Sequence, residues 1–180
     1  MALMAEELVQ EWLNRQGFFT IRNVRVRGHE LDLLAVKRVA DGTVCRHVEV
    51  NACVGPINYI SGLPKSVQKA TGRGSSSAGR RVDAVLREGV REWVEKKYRP
   101  PRVREVRDAL WPGAWSEELV VNEVKYPEEL LVIEAEGVKV HRLGDVIANL
   151  TQPVAPPWRA AGSDLADLLA CASAPPRGSR

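Results

Sequence analysis

Two acids stand where strand alternation can set them side by side. Asp32 lies in the apolar run of residues 31–36 (LDLLAV), Glu49 lies in residues 44–52 (VCRHVEVNA), and Asp41-Gly42 stands between the two runs. Two such runs around turn residues predict an antiparallel hairpin. Along the second run Cys45, His47, Glu49, Asn51 and Cys53 share one face, while Val48, Val50 and Ala52 take the other. In the first, Glu30, Asp32 and Leu34 alternate with Leu31, Leu33 and Ala35. Placed together, the Asp32 and Glu49 carboxylates would fall within the roughly 4 to 6 Å that a hard divalent cation bridges. The pattern sketches a Mg²⁺ (or Mn²⁺) site. A bland alternative has Asp32 closing the turn after Gly28 and Glu49 facing water on an edge strand.

Two rival constellations carry less. Zinc on Cys45, His47 and Cys53 would need thiols that eight strand residues hold roughly 26 Å apart, at about 3.3 Å per residue. A literal E-x-K occurs at Glu123-Val124-Lys125, with Asp108 upstream, but Asp108 falls in the helical-looking residues 103–111 (VREVRDALW), and no helix, strand and hairpin precede the motif.

The elements that must position these acids follow from periodicity. Leu8, Val9, Trp12 and Leu13 recur at helical spacing over residues 5–15, and Gly17 sits where a cap would end the helix. Residues 18–26 read as a strand that Gly28 breaks. Ser75, Ser76 and Ser77 offer caps for a long helix reaching about Tyr98, with Val82, Val85, Leu86, Val90, Trp93 and Val94 on one stripe; Arg80, Arg81, Arg87, Arg91 and Lys97 take its other face. Pro100 and Pro101 stop it. Residues 119–124, 130–135 and 138–141 read as strands and residues 143–150 as a short helix. The order predicts an α/β domain over residues 1–150, a mixed β-sheet flanked by helices. Residues 151–180 read as a proline-rich tail, with one short helix over residues 163–172 and a disordered end.

Composition bounds the partners. A chain of 180 residues with 44% hydrophobic and 27% charged residues is ordinary for one soluble domain. No run is apolar enough to span a membrane, and Glu6 and Glu7 interrupt the start where a signal peptide would stay apolar. Cys45, Cys53 and Cys171 form no CxxC pair and are too few for a disulfide framework, which reads as reduced thiols in the cytoplasm. Net charge is +3, but residues 65–104 hold 12 Lys/Arg against 4 Asp/Glu, and residues 105–150 hold 4 against 10. A local excess of that size suggests a basic surface for a polyanion; an arginine-rich solvated helix face is the alternative.

Residues 5–51, from AEELVQEWLNRQGFFTIRNVRVRGHELDLLAV to HVEVN, resemble the amino-terminal half of the PD-(D/E)XK nuclease superfamily, especially its archaeal Holliday-junction-resolvase-like and Mrr-like members. Shared features are an opening helix with an acid, a glycine before an E-x-D strand, and an E-x-K strand after a hairpin. The resemblance implies a restriction-endonuclease-like fold and a metal-dependent DNA endonuclease. Residue by residue, Glu6 matches the helix acid, Asp32 and Glu49 the metal carboxylates, joined by the Val50 carbonyl, and Asn51 the lysine position. The stretch KSVQKATGRG, with Lys65, Gln68, Lys69 and Arg73, is similar to the helix that many members lay on the phosphate backbone; Arg80, Arg81 and Arg87 would extend that surface. A homodimer is a further expectation. Asn51 departs from the pattern, because it is shorter than lysine and uncharged. Lys65 or Lys69 would then stand in for the missing cation, or the chain would be a catalytically impaired nucleic-acid-binding or assembly subunit.

Overall fold

A computed structural model describes residues 2–53 and 55–152. Among the described residues six helices surround one five-stranded sheet: α1 (Ala2–Arg15), β1 (Phe19–Val26), β2 (His29–Val39), β3 (Gly42–Asn51), α2 (Lys65–Thr71), α3 (Asp83–Lys97), α4 (Pro101–Leu110), β4 (Trp115–Val121), α5 (Glu128–Ala135), β5 (Lys139–Arg142) and α6 (Leu143–Thr151). Strand order follows the chain. β1, β2 and β3 pair antiparallel, and β3–β4 and β4–β5 pair parallel. The chain is therefore α/β with a mixed sheet between helices.

Local chemistry explains the ends. At Gly17, φ is +84°, and the amides of Gln16, Gly17 and Phe18 donate back to carbonyls of the last turn of α1. A left-handed residue there suits glycine and turns the chain into β1. Leu8, Val9 and Leu13 of α1 pack with Val146 and Leu150 of α6 over Leu33, Ala35, Val48 and Val120 of the sheet. Leu86, Val90 and Val94 of α3, with Tyr98 just after it, meet Leu130 and Ile133 of α5 over Leu119 and Val121. A third cluster joins Val103 of α4 to Leu31 and Leu34.

Some elements depart from the sequence reading. Residues 130–135 are helix, not strand: Pro127 and the acids Glu128 and Glu129 open α5, and Leu130, Val132 and Ile133 are buried. The four-residue apolar run Leu130–Ile133 fits either period, and the helix buries Leu130, Val132 and Ile133. The long helix begins at Asp83, with Val82 as a cap that accepts the Leu86 N–H on its carbonyl and makes no side-chain bond, so Ser75, Ser76 and Ser77 cap nothing there. Pro101 ends one helix by opening the next, at the first position of α4, where its missing N–H costs nothing. The expected helix over residues 163–172 lies outside the described residues.

A charged cluster ties the start of β3 to β4 and β5. Glu118 is 1% exposed. It accepts from Arg46 Nε at 2.9 Å and from Nη2 of the same guanidinium, from Ser116 Oγ at 2.7 Å, and pairs with His141 Nε2 at 2.8 Å. Arg46 also lies over the rings of Trp12 and Phe18. Burial works against the Glu118 charge, but these donors win and hold its carboxyl down at about 2.

Candidate active site

Register brings the predicted acids together. The β2–β3 ladder pairs Leu33 with Val48, and one step further Asp32 faces Glu49. On the other side, Arg22 and Val24 pair with Leu33 and Leu31, so Asn23 stands opposite Asp32. Asn23 has φ +57°, a left-handed conformation that asparagine tolerates better than most residues. A cavity of about 460 Å³ opens over this row, lined by Glu6 of α1, Asn23 and Arg25 of β1, Glu30 and Asp32 of β2, Glu49, Val50 and Asn51 of β3, and Trp93 and Lys97 of α3. Glu6, Asp32, Glu49, Val50 and Asn51 thus share one cavity.

Lys65 and Lys69 do not line it, and the lysine that does is Lys97. The ammonium of Lys97 pairs with Glu49 Oε2. Lys97 and Trp93 are four residues apart on α3 and so share a helix face. The next residue anchors that end of the helix: Tyr98 is fully buried and donates its hydroxyl to the Glu118 carbonyl at 2.7 Å. Periodicity alone puts Lys97 on a solvent face. Its signal was the i,i+4 spacing from Trp93, beside the buried stripe, although spacing names no partner on another element.

Electrostatics mark the acids as under-compensated. The Asp32 carboxyl is pushed up to about 7, first by burial and then by Glu49, against the opposing pull of Lys97 and of the Val50 N–H, which donates to Oδ2 at 2.8 Å. Glu6 is 7% exposed, its Oε2 is buried without a hydrogen-bond partner, and burial raises its pKa despite Arg22. Burial alone would lower the Lys97 pKa, yet the adjoining Glu49 holds it above the ordinary lysine value. On its other oxygen Glu49 meets His47 Nε2 at 3.0 Å.

The expected nucleic-acid residues divide. Lys65 and Lys69 are exposed on α2, and neither makes an ion pair among the described residues. Arg73 is exposed and donates to Ser77 Oγ, while Gln68 gives its amide to the Leu63 carbonyl. Arg80 lies 3.9 Å from Glu128, and Arg87 pairs with Asp83 at 2.7 Å. Arg81 is spent inside the fold, donating to the Ser61 and Gly62 carbonyls at 3.1 Å over the Tyr59 ring. Arg91 and Arg99 reach Glu136 and Glu117, so the acidic segment after residue 104 neutralises part of the basic one. Glu123, Lys125 and Asp108 are exposed and outside the cavity. Cys45 is buried and Cys53 exposed, both free, and no group of three or more His, Cys, Asp or Glu side chains among the described residues is arranged to hold a metal.

The site defines a class, an acid-lined centre on the face of an α/β sheet with one cation supplied by a helix. No family model, curated protein or solved structure matches the chain. Among the described residues no helix is long and apolar enough to cross a membrane.

Proposed function

We propose that this chain is a metal-dependent DNA endonuclease that hydrolyses phosphodiester bonds with Mg²⁺ (or Mn²⁺), and that Lys97 supplies the cation which Asn51 lacks. The supporting observation is the convergence of Asp32, Glu49 and Lys97 on one cavity from two strands and a helix. Glu6, Glu30, Asp32 and Glu49 line the cavity against Arg25 and Lys97, and burial together with Glu49 pushes the Asp32 carboxyl up to about 7, which fits a cation. Two acids rather than three or more ligating side chains suit Mg²⁺, which is commonly held by one or two carboxylates and keeps several waters. Asp32, Glu49 and the Val50 carbonyl would hold it. When bound, the ion supplies an acidified water and neutralises charge on the phosphate.

The chain's own groups do the rest. Lys97, oriented by Glu49, places a positive charge beside the acids, where an approaching phosphate oxygen needs one. Glu6 offers a buried acceptor at the cavity wall for a water proton. Asn51 offers an amide donor without charge. Lys65, Lys69 and Arg73 meet the phosphate backbone, giving affinity with little sequence preference. A homodimer and a cytoplasmic location belong to the same reading.

A second reading, a DNA-binding or assembly subunit without chemistry, is favoured by the same Lys97 contact: a tethered ammonium already rests on Glu49. Duplex, flap and four-way-junction DNA incubated with Mg²⁺ or Mn²⁺ separate the two. Cutting by the wild type and none by Asp32→Ala supports the nuclease. Intact DNA in every case, with binding retained, supports the binder.

A further inference from the structure

We infer that His47 is a positioning residue for Glu49, acting with its ring proton on Nε2. The nuclease reading enters only in what that positioning serves. His47 is fully buried on β3, two residues before Glu49 and on the same face. Its Nε2 lies 3.0 Å from Glu49 Oε1, while Lys97 takes Oε2. An ionised carboxylate only accepts, so the proton between them belongs to the imidazole. Nδ1 is buried and has no hydrogen-bond partner, and a proton there would leave an unpaired buried donor.

The ring itself has little room to turn. Leu34 of β2 pairs with His47 across the ladder, and the Tyr98 ring meets its edge at 4.9 Å and 64°. Tyr98 is in turn held by its hydroxyl on the Glu118 carbonyl. The imidazole is thus a fixed donor that ties down Oε1 and turns Oε2 toward the cavity, where Lys97 meets it and where a bound ion would. Carboxylates that ligate ions commonly depend on such a partner, and loss of one typically costs about 10- to 100-fold in metal affinity or activity.

The test uses the full ¹⁵N-labelled chain, first without metal. Long-range ¹H–¹⁵N spectra should show His47 protonated at Nε2 and bare at Nδ1, and a slowly exchanging Lys97 ammonium signal from its pair with Glu49. His47→Gln keeps a side-chain N–H donor and should keep that signal; His47→Leu should lose it. A proton on Nδ1 in the wild type, or an unchanged Lys97 signal in His47→Leu, overturns the inference. Should His47→Leu fail to fold, the wild-type tautomer and the His47→Gln spectrum still decide: loss of the Lys97 signal in a folded His47→Gln, or the wrong tautomer, overturns it. Mn²⁺ calorimetry then reads the consequence, with affinity close to wild type in His47→Gln and about 10- to 100-fold weaker in His47→Leu. Equal Mn²⁺ affinity in wild type and His47→Leu overturns the positioning role, whereas a wild type that binds no Mn²⁺ removes the nuclease reading and leaves the spectra to judge His47.

Discussion

Glu118 and Asp32 are carboxylates on strands of one sheet, each acted on by a nearby cation, yet Glu118 holds its pKa at about 2 and Asp32 at about 7. Burial raises both. What differs is the compensation. Glu118 receives two guanidinium contacts, a hydroxyl and His141. Asp32 receives one backbone N–H and stands against a second acid, Glu49, whose own oxygens are taken by His47 and Lys97. The start of β3 is electrostatically closed and holds the strands together. Its other end is electrostatically open, and an excess of buried negative charge in a cavity costs stability unless something positive enters. The same side-chain types thus serve structure at one end and a candidate function at the other.

Substitutions can attack this contrast at either end, and the largest effect belongs to the closed one. Glu118→Ala leaves the Arg46 guanidinium buried without its partner, and unfolding in urea at pH 7 should show a loss of about 3 to 5 kcal/mol. In the wild type the Glu118 contribution is present above the ordinary glutamate pKa and is lost as pH falls from there through about 2. An unchanged urea midpoint would remove the contrast.

At the open end the sign reverses. Asp32 binds its proton more tightly folded than unfolded, so its contribution to the stability of the metal-free protein falls as pH rises from the ordinary 3.8 through about 7 and is level above that. Asp32→Asn removes the penalty and should stabilise the protein at pH 8 in EDTA. The gain is on the order of 2 to 4 kcal/mol, from about 1.4 kcal/mol per pH unit less a discount for partial solvation. At pH 4 the two proteins should melt nearly alike. Destabilisation by Asp32→Asn at pH 8 would contradict the account.

A smaller effect separates the basic residues from one another. Removing Lys65 and Lys69 together should lower the slope of log affinity for DNA against log salt by about 2, near 0.9 for each phosphate left without its cation. Arg81→Ala should leave that slope alone and lower the melting temperature, because Arg81 bonds the loop at Ser61 and Gly62 rather than solvent. Equal slopes for wild type and the double lysine variant would take α2 out of the interface.

What was legible in the sequence follows the range of the interaction. Gly17, Gly28 and the Asp41-Gly42 turn announce their geometry within a few residues, and alternation then sets Asp32 and Glu49 on one face. Glu6 was reached only through the resemblance of the opening helix, since helical periodicity by itself does not say which of its acids meets the cavity. Lys97 could not be placed, since it reaches Glu49 from 48 residues away through the packing of α3, and periodicity shows a stripe without saying what lies opposite. Residues 130–135 were ambiguous for a different reason: a short segment with a run of four apolar residues fits both periods, and the acids of Glu128 and Glu129 after Pro127 were the helix signal to weigh. Glu129 itself is spent on the amides of Ile60 and Ser61, a contact across the fold that no local pattern announces.

If Lys97 completes a cleaving centre with Asp32 and Glu49, the decisive quantity is the rate of Mg²⁺-dependent DNA cleavage by wild type, Lys97→Met and the double variant Lys97→Met/Asn51→Lys. Asn51 lines the same cavity from the strand position two residues beyond Glu49. Loss of one preorganised charge should slow Lys97→Met by about 10² to 10³, and lysine at position 51 should return part of that rate. Cleavage by Lys97→Met at the wild-type rate, or no cleavage by the wild type on duplex, flap or junction, would contradict the account.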